Sequence, residues 1–251
     1  MAMQEEKAEG SGAVWETVKV VIHALIIAFV VRMFFYQPFN IPSGSMKSTL
    51  LVGDYLFVSK MSYGYSRYSI AGNFNLFSGR IWATPPKRGD VAVFKLPRDP
   101  SMDFIKRVIG LPGDEIQMKD GVLYINGTAV PKQRVDEWES PDESGHISKY
   151  TRYQETLPNG VKHYTLDRVP DGRFDNTSPY KVPAGHYFMM GDNRDESNDS
   201  RARNDVGFSP FENFVGRAEV IWFSGTEQWG FLKFWTWPGQ IRWSRIFSLV
   251  R

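Results

Sequence analysis

Three hydroxyl side chains, Ser43, Ser45 and Ser48, fall within six positions of the stretch FNIPSGSMKSTL, with Gly44 between the first two. A serine hydroxyl can attack a carbonyl, but only when a neighbouring base takes its proton. The usual base is a histidine with a carboxylate behind it. Of the four histidines, His23 lies in an apolar N-terminal run, and His146 and His163 lie in a polar, charged region. That leaves His186, in AGHYFMM, as the histidine placed to serve. A lysine is the alternative. With an ordinary pKa of about 10.4, a lysine base must be depressed by about 2–3 units, on the order of 3–4 kcal/mol. Burial among apolar groups supplies such a shift, and so does a nearby cation. Lys106, in MDFIKRVIG, has that setting. Strand alternation puts Phe104, Lys106 and Val108 on one face, and Ile105, Arg107 and Ile109 on the other. Alternation alone leaves open whether Lys106 or Arg107 points inward.

A third segment, MGDNRDESNDSR from Met190 to Arg201, is rich in Asp, Asn, Ser and Gly. Such residues build turns in which side chains hydrogen-bond the backbone. A calcium loop fits poorly, because the Asp spacing is wrong and no glycine sits mid-loop. Ser178-Pro-Tyr-Lys181 has Ser-x-x-Lys spacing, but the Lys-Thr-Gly that penicillin-binding chemistry also needs is absent. Without cysteine there is neither a disulfide nor a thiolate site, and without a close histidine pair a zinc centre is disfavoured. No cofactor or metal is implied. Thirty basic residues against 28 acidic ones, a net charge of +2, give no electrostatic reason to expect nucleic acid.

These residues need elements to hold them. At 251 residues the chain can bury one sizeable core, or one core with a smaller lobe. The uninterrupted apolar run from Val20 to Val31 is short for a membrane span, but Lys19 and Arg32 bracket it and can snorkel outward. Trp15 and Tyr36 are placed as interfacial anchors. A cleaved signal peptide needs small residues just after the apolar core, where Arg-Met-Phe-Phe-Tyr-Gln-Pro stands instead; Ser43-x-Ser45 lies too far along. We therefore expect an N-terminal tail over 1–13, on the cytoplasmic side, and an uncleaved anchor over 14–36. Beyond it, DYLFVSK, DVAVFKL, DFIKRVIG, DGVLYING, HYFMMGD and GRAEVIWFS read as short strands punctuated by Gly, Pro and Asp. Turn signals at Pro112-Gly113-Asp114 and Asp120-Gly121 predict successive hairpins. Residues 128–183 read as polar and loop-like. The fold expected is mainly β: an antiparallel-sheet core over 37–62, 86–114 and 184–251, with an inserted, loop-rich β lobe over 63–85 and 115–183. The Trp- and Arg-rich tail, WGFLKFWTWPGQIRWSRIFSLVR, reads as a packed terminal segment or as a contact with lipid headgroups.

Taken together, these segments resemble the bacterial type I signal peptidases, membrane-bound Ser-Lys endopeptidases. The resemblance covers most of the chain: an anchor followed by IPSGSM, then GDYLFVSK, then RGDVAVFKLPRDPSMDFIKRVIGLPGD, then GDNRDESNDSR with VGF and VGRAEVIW. It implies Ser45 as nucleophile and Lys106 as general base, 61 positions apart. Ser43 and the Ser45 backbone N–H would form the oxyanion hole. Ser197 would hydrogen-bond Lys106, and Asp199 and Arg201 would brace the site as an ion pair. Phe39, Ile41, Leu56, Val93, Asp103 and Ile105 would wall pockets for small side chains at positions −1 and −3 of an extended substrate. The partners implied are preprotein signal peptides and the lipid bilayer, with the catalytic domain outside the bacterial inner membrane. One departure is Ser48, where the family usually has proline; Lys47 beside it reads as solvated. Two other readings compete. A non-catalytic, anchored β domain that binds extended peptides would need no Lys106. A Ser-Lys autoprotease of the SOS-repressor kind would need a DNA-binding helix-turn-helix, and none is visible.

Overall fold

The computed structural model describes residues 2–69, 78–141, 146–226, 235 and 237–251, and the side chains of these apart from residues 2–13 and 141. Helix α1 runs Ala2–Phe34, so the N-terminal tail is helical and continuous with the apolar part, Val14–Phe34. That part has a mean hydropathy of 2.1 and none of it is buried. Apolar side chains left bare on every face suit hydrocarbon, not water. The helix stops short of the expected 36 because Pro38 forces its predecessor out of helical geometry, and Tyr36 opens the first strand. Its last carbonyls are not orphaned: Lys60 Nζ donates to those of Arg32 and Met33, and the Tyr65 hydroxyl to that of Phe34.

The main sheet is antiparallel throughout. Its order is β1 (Tyr36–Asn40), β2 (Asp54–Ser59), β16 (Phe214–Ser224), β5 (Val91–Leu96), β6 (Asp99–Gly110), β14 (His186–Met190), β15 (Ser209–Pro210), with β17 (Ser248–Leu249) also on β16. Five of its strands match apolar runs: β2, β5, β14 and β16 to within two residues at either end, and β6 with a start four residues earlier. A ribbon of β3 (Tyr65–Ser66) and β4 (Arg80–Ile81) lies beside it in sequence. A four-stranded sheet takes the order β13 (Tyr180–Lys181), β7 (Glu115–Lys119), β8 (Val122–Ile125), β9 (Thr128–Ala129). A three-stranded sheet is β10 (Lys132–Pro141), β11 (Ile147–Thr156), β12 (Lys162–Asp167).

Two expectations are corrected here. Only one of the two turn signals makes a hairpin. Asp120 and Gly121, both at positive φ, join the paired strands β7 and β8, whereas the turn at Gly113 carries the chain out of the main sheet and leaves β6 and β7 unpaired. Residues 128–183 are also far less loop-like than their composition suggests. Their charges alternate along long strands and pair across them: Asp136 sits opposite Arg152 and binds it, and Trp138 sits opposite Tyr150. This second layer is not independent of the main sheet. Ile109, Phe188 and Met190 of the main sheet share one core with Ile116, Met118, Leu123 and Ile125. In the tail, Arg245 reaches Asp54 at 2.5 Å and β17 adds to β16, so the described part is tied to the sheet. Trp243 and Phe247 of that part remain exposed.

Candidate active site

The serine-rich stretch leaves β1 and forms a single 3₁₀ turn, Gly44–Met46. Met46 and Leu50 are completely buried in a core with Ile41, Leu56 and Val58, which pins the turn from below. Ser45 is the residue of the turn that faces the groove, and it is 8% exposed. Ser43 precedes the turn in extended geometry, and its hydroxyl makes no capping bond to it.

Strand β6 brings Lys106 to this turn. Its Nζ lies 2.6 Å from Ser45 Oγ and donates to the Ile105 carbonyl at 2.9 Å. The side chain is 3% exposed and its ammonium position is 5.4 Å from the centre of the Phe104 ring. Burial, helped by the Arg201 guanidinium, lowers its pKa from 10.5 to about 8, although Asp199 and Asp192 pull the other way. An amine so depressed is neutral in a usable fraction at physiological pH and can accept the Oγ proton at hydrogen-bond distance.

The polar segment 190–201 packs behind the pair. Arg201 binds Asp199 through Nε at 2.9 Å and Nη2 at 2.8 Å, with both side chains buried. Burial acts to raise the Asp199 carboxyl, but the guanidinium and the Gly191 N–H outweigh it and hold the group below its ordinary value. A side chain at Gly191 would collide with Ser197 and stand 2.6 Å from the Ser45 carbonyl oxygen, so only glycine fits there. The expected hydrogen bond from Ser197 to Lys106 is not formed. Lys106 takes the Ile105 carbonyl as its second partner, and Ser197 Oγ packs on Gly191 without a well-formed hydrogen bond.

Two hollows flank Ser45. One, of about 250 Å³, is lined by Phe39, Ile41, Ser43, Val93, Asp103 and Ile105, among others. Leu56, expected in that wall, is fully buried one layer deeper, in the core with Ile41 and Val93. The other, of about 240 Å³, is lined by Ser43 to Ser45, Lys47, Phe104, Lys106, Glu196 and Asn198. Lys47, expected to be solvated, is 7% exposed and lies 5.7 Å above the Tyr150 ring. No group of His, Asp or Glu capable of holding a metal occurs among the described residues.

The profile of the family described as signal peptidase, peptidase S26, matches residues 14–223. The chain belongs to the signal peptidase family. Signal peptidase I of Rickettsia typhi is 44% identical, with 89% of each chain covered, and that of Rickettsia canadensis is 44% identical, with 88% of each covered. A solved signal peptidase I from Enterococcus faecalis, 25% identical, covers 53% of this chain and 97% of its own, with a TM-score of 0.31, too low to bear on the arrangement of elements. The peptidase is thus a serine endopeptidase of the signal peptidase I kind, anchored in a membrane by its apolar N-terminal helix.

Sequence reasoning missed several residues that shape the site. Arg107 and Asp192 form a buried pair, and Thr49 Oγ1 joins it at 2.5 Å from Asp192. Arg194 and Glu155 form another, linking the 190–201 segment to β11. Asn193 donates to the carbonyls of both Gly44 and Ser45. Apart from Arg107 and Thr49, these lie in segments whose polarity reads as solvated loop. Only their partners, scores of residues away, reveal that they are interior.

Proposed function

We propose that the peptidase cleaves signal peptides from exported preproteins with Ser45 as nucleophile and Lys106 as general base. The observation that carries this reading is the 2.6 Å contact between Ser45 Oγ and a buried lysine depressed to about pKa 8. The Oγ proton passes to Nζ as Oγ attacks the scissile carbonyl. The resulting oxyanion is held by the Ser43 hydroxyl and the Ser45 N–H, donors of a kind worth about 3 kcal/mol each. Collapse expels the mature N-terminus as an amine, which takes its proton from the Lys106 ammonium. Water then repeats the sequence on the acyl-serine.

The substrate lies extended beside β6, pairing as an added strand. Its residues at −1 and −3 enter the hollow walled by Phe39, Ile41, Val93, Asp103 and Ile105, with Leu56 setting the floor from beneath. Bulky walls admit only small side chains, but each extra methylene is rejected by only about 1–3 kcal/mol. The anchor supplies further selectivity by holding the site near the bilayer. The Asp199–Arg201 pair braces the 190–201 segment. The described residues of 37–62, 86–114 and 184–251 form the catalytic core, with those of 63–85 and 115–183 as a lobe laid against it. The catalytic domain faces the extracytoplasmic side of the bacterial inner membrane, and residues 1–13 face the cytoplasm.

The test uses the full chain in detergent with a preprotein substrate. Ser45→Ala and Lys106→Met are each expected to abolish cleavage while retaining the fold by circular dichroism. A Lys106→Met enzyme that keeps most of its activity removes Lys106 from the mechanism. An inert wild type favours a domain that only binds extended peptides.

A further inference from the structure

The Ser45 N–H assigned above to the oxyanion hole belongs to the same rigid peptide plane as the Gly44 carbonyl. Whatever holds the carbonyl edge therefore aims the N–H edge. Two donors meet that carbonyl: the Lys47 N–H at 3.0 Å, from within the turn, and the Asn193 side-chain Nδ2 at 3.1 Å, from the 190–201 segment. The second hydrogen of Nδ2 goes to Glu196 Oε2 at 3.0 Å, and Tyr150 and Arg168 hold that carboxylate in turn. The Asn193 backbone N–H also donates to the Ser45 carbonyl, at 3.1 Å.

Asn193 is fully buried, yet its Oδ1 has no hydrogen-bond partner. An orphaned buried acceptor is costly, and native structures seldom keep one without a reason. Here the reason is visible. Turning the amide over would bring Oδ1 against two acceptors, Gly44 O and Glu196 Oε2. The orientation that leaves Oδ1 bare is the one that gives both N–H groups to acceptors.

We infer that Asn193 is a positioning residue for the oxyanion hole, fixing the Gly44–Ser45 peptide plane so that the Ser45 N–H points at the developing negative charge. A donor on the carbonyl also polarises the amide and strengthens its N–H as a donor. This rests on the reading of Ser45 as nucleophile. It predicts an effect confined to the transition state, because the ground-state carbonyl gains little from that donor.

The test compares the full chain with Asn193→Ala and Asn193→Leu. The leucine keeps the branched shape and the backbone N–H, adds no charge and cannot donate to Gly44, so it carries the test if the alanine variant fails to fold. Three quantities are read: kcat and its pH midpoint, the Kd of a signal-peptide analogue with a reduced scissile bond, and the Ki of the matching peptide aldehyde. The aldehyde adds to the serine and places an oxygen in the hole. We expect kcat to fall about 10- to 100-fold and the aldehyde Ki to rise by the same factor, with the analogue Kd and the pH midpoint unchanged. The inference is overturned by a kcat within about twofold of wild type, by parallel weakening of both ligands, or by a moved midpoint. Failure of the underlying reading shows separately, as Ser45→Ala binding the aldehyde as tightly as wild type does.

Discussion

Arg107 and Asp192 meet as a doubly hydrogen-bonded pair, at 2.8 and 2.7 Å, with side chains 0% and 1% exposed. Arg107 is the neighbour of Lys106 on β6, and Asp192 is the neighbour of Gly191. The two strand faces thus carry different jobs. Lys106 turns toward Ser45, and Arg107 turns through the sheet to lock the 190–201 segment. Arg107 also donates to the carbonyls of Gly89 and Arg251. Burial acts to raise the Asp192 carboxyl, but Arg107 outweighs it and keeps the group ionised.

Breaking this pair from one side leaves a buried charge alone. Asp192→Ala is expected to destabilise the domain by about 3–5 kcal/mol, read as a lower midpoint in a denaturant titration in detergent. A midpoint unchanged from wild type would show that water reaches Arg107.

The pKa of Lys106 is lowered to about 8, and as the proposed base it accepts the serine proton only when neutral. Below that value kcat/KM should fall about tenfold per pH unit, and above it reach a plateau. A midpoint near 10 would mean that the lysine is not desolvated in the working enzyme.

The same depression makes Lys106 a burden on the fold. Its pKa is about 8 folded against an ordinary 10.5, so between those values the unfolded chain binds the extra proton and stability rises with pH. At pH 7 the lysine is protonated in both states and the full penalty applies, on the order of 3 kcal/mol. Lys106→Met should therefore raise the unfolding temperature at pH 7, and the gain should disappear by about pH 10.5. A variant less stable than wild type at pH 7 would contradict this.

Ser48 stands at φ +83°, where proline, fixed near −65°, cannot go. The family's usual proline is therefore excluded by this turn, and the chain is not simply lacking a restraint. Ser48 Oγ also donates to the Tyr164 carbonyl of β12 at 3.0 Å. Ser48→Pro should lower cleavage at least about tenfold and reduce stability, whereas Ser48→Gly should keep the turn and most activity. Full activity in Ser48→Pro would show that the turn is free to change shape.

Gly191→Ala inserts a methyl between Ser197 and the Ser45 carbonyl. We expect kcat to fall about 100-fold while the far-ultraviolet spectrum stays that of wild type. Near-normal turnover would place the 190–201 segment farther from the dyad.

The amino-acid sequence by itself determined the apolar N-terminal helix, five strands of the main sheet and, through its motifs, the pair proposed to react. Hydrophobic periodicity is local, so DYLFVSK and DVAVFKL announce their strands without knowledge of their partners. Ser45 and Lys106 stand out by residue type, setting and motif. The tertiary structure alone decided which polar residues are interior. Asp192, Asn193, Arg194 and Glu155 look solvated in one dimension, because a buried charge is tolerable only beside its counter-charge, and here that partner lies far along the chain. It also decided that Lys106 and Arg107 are both buried, on opposite faces, that Leu56 lies behind the wall it was expected to form, and that Ser197 faces Gly191 and not the lysine. Burial is a property of contacts between distant segments, and no window of neighbouring residues contains it.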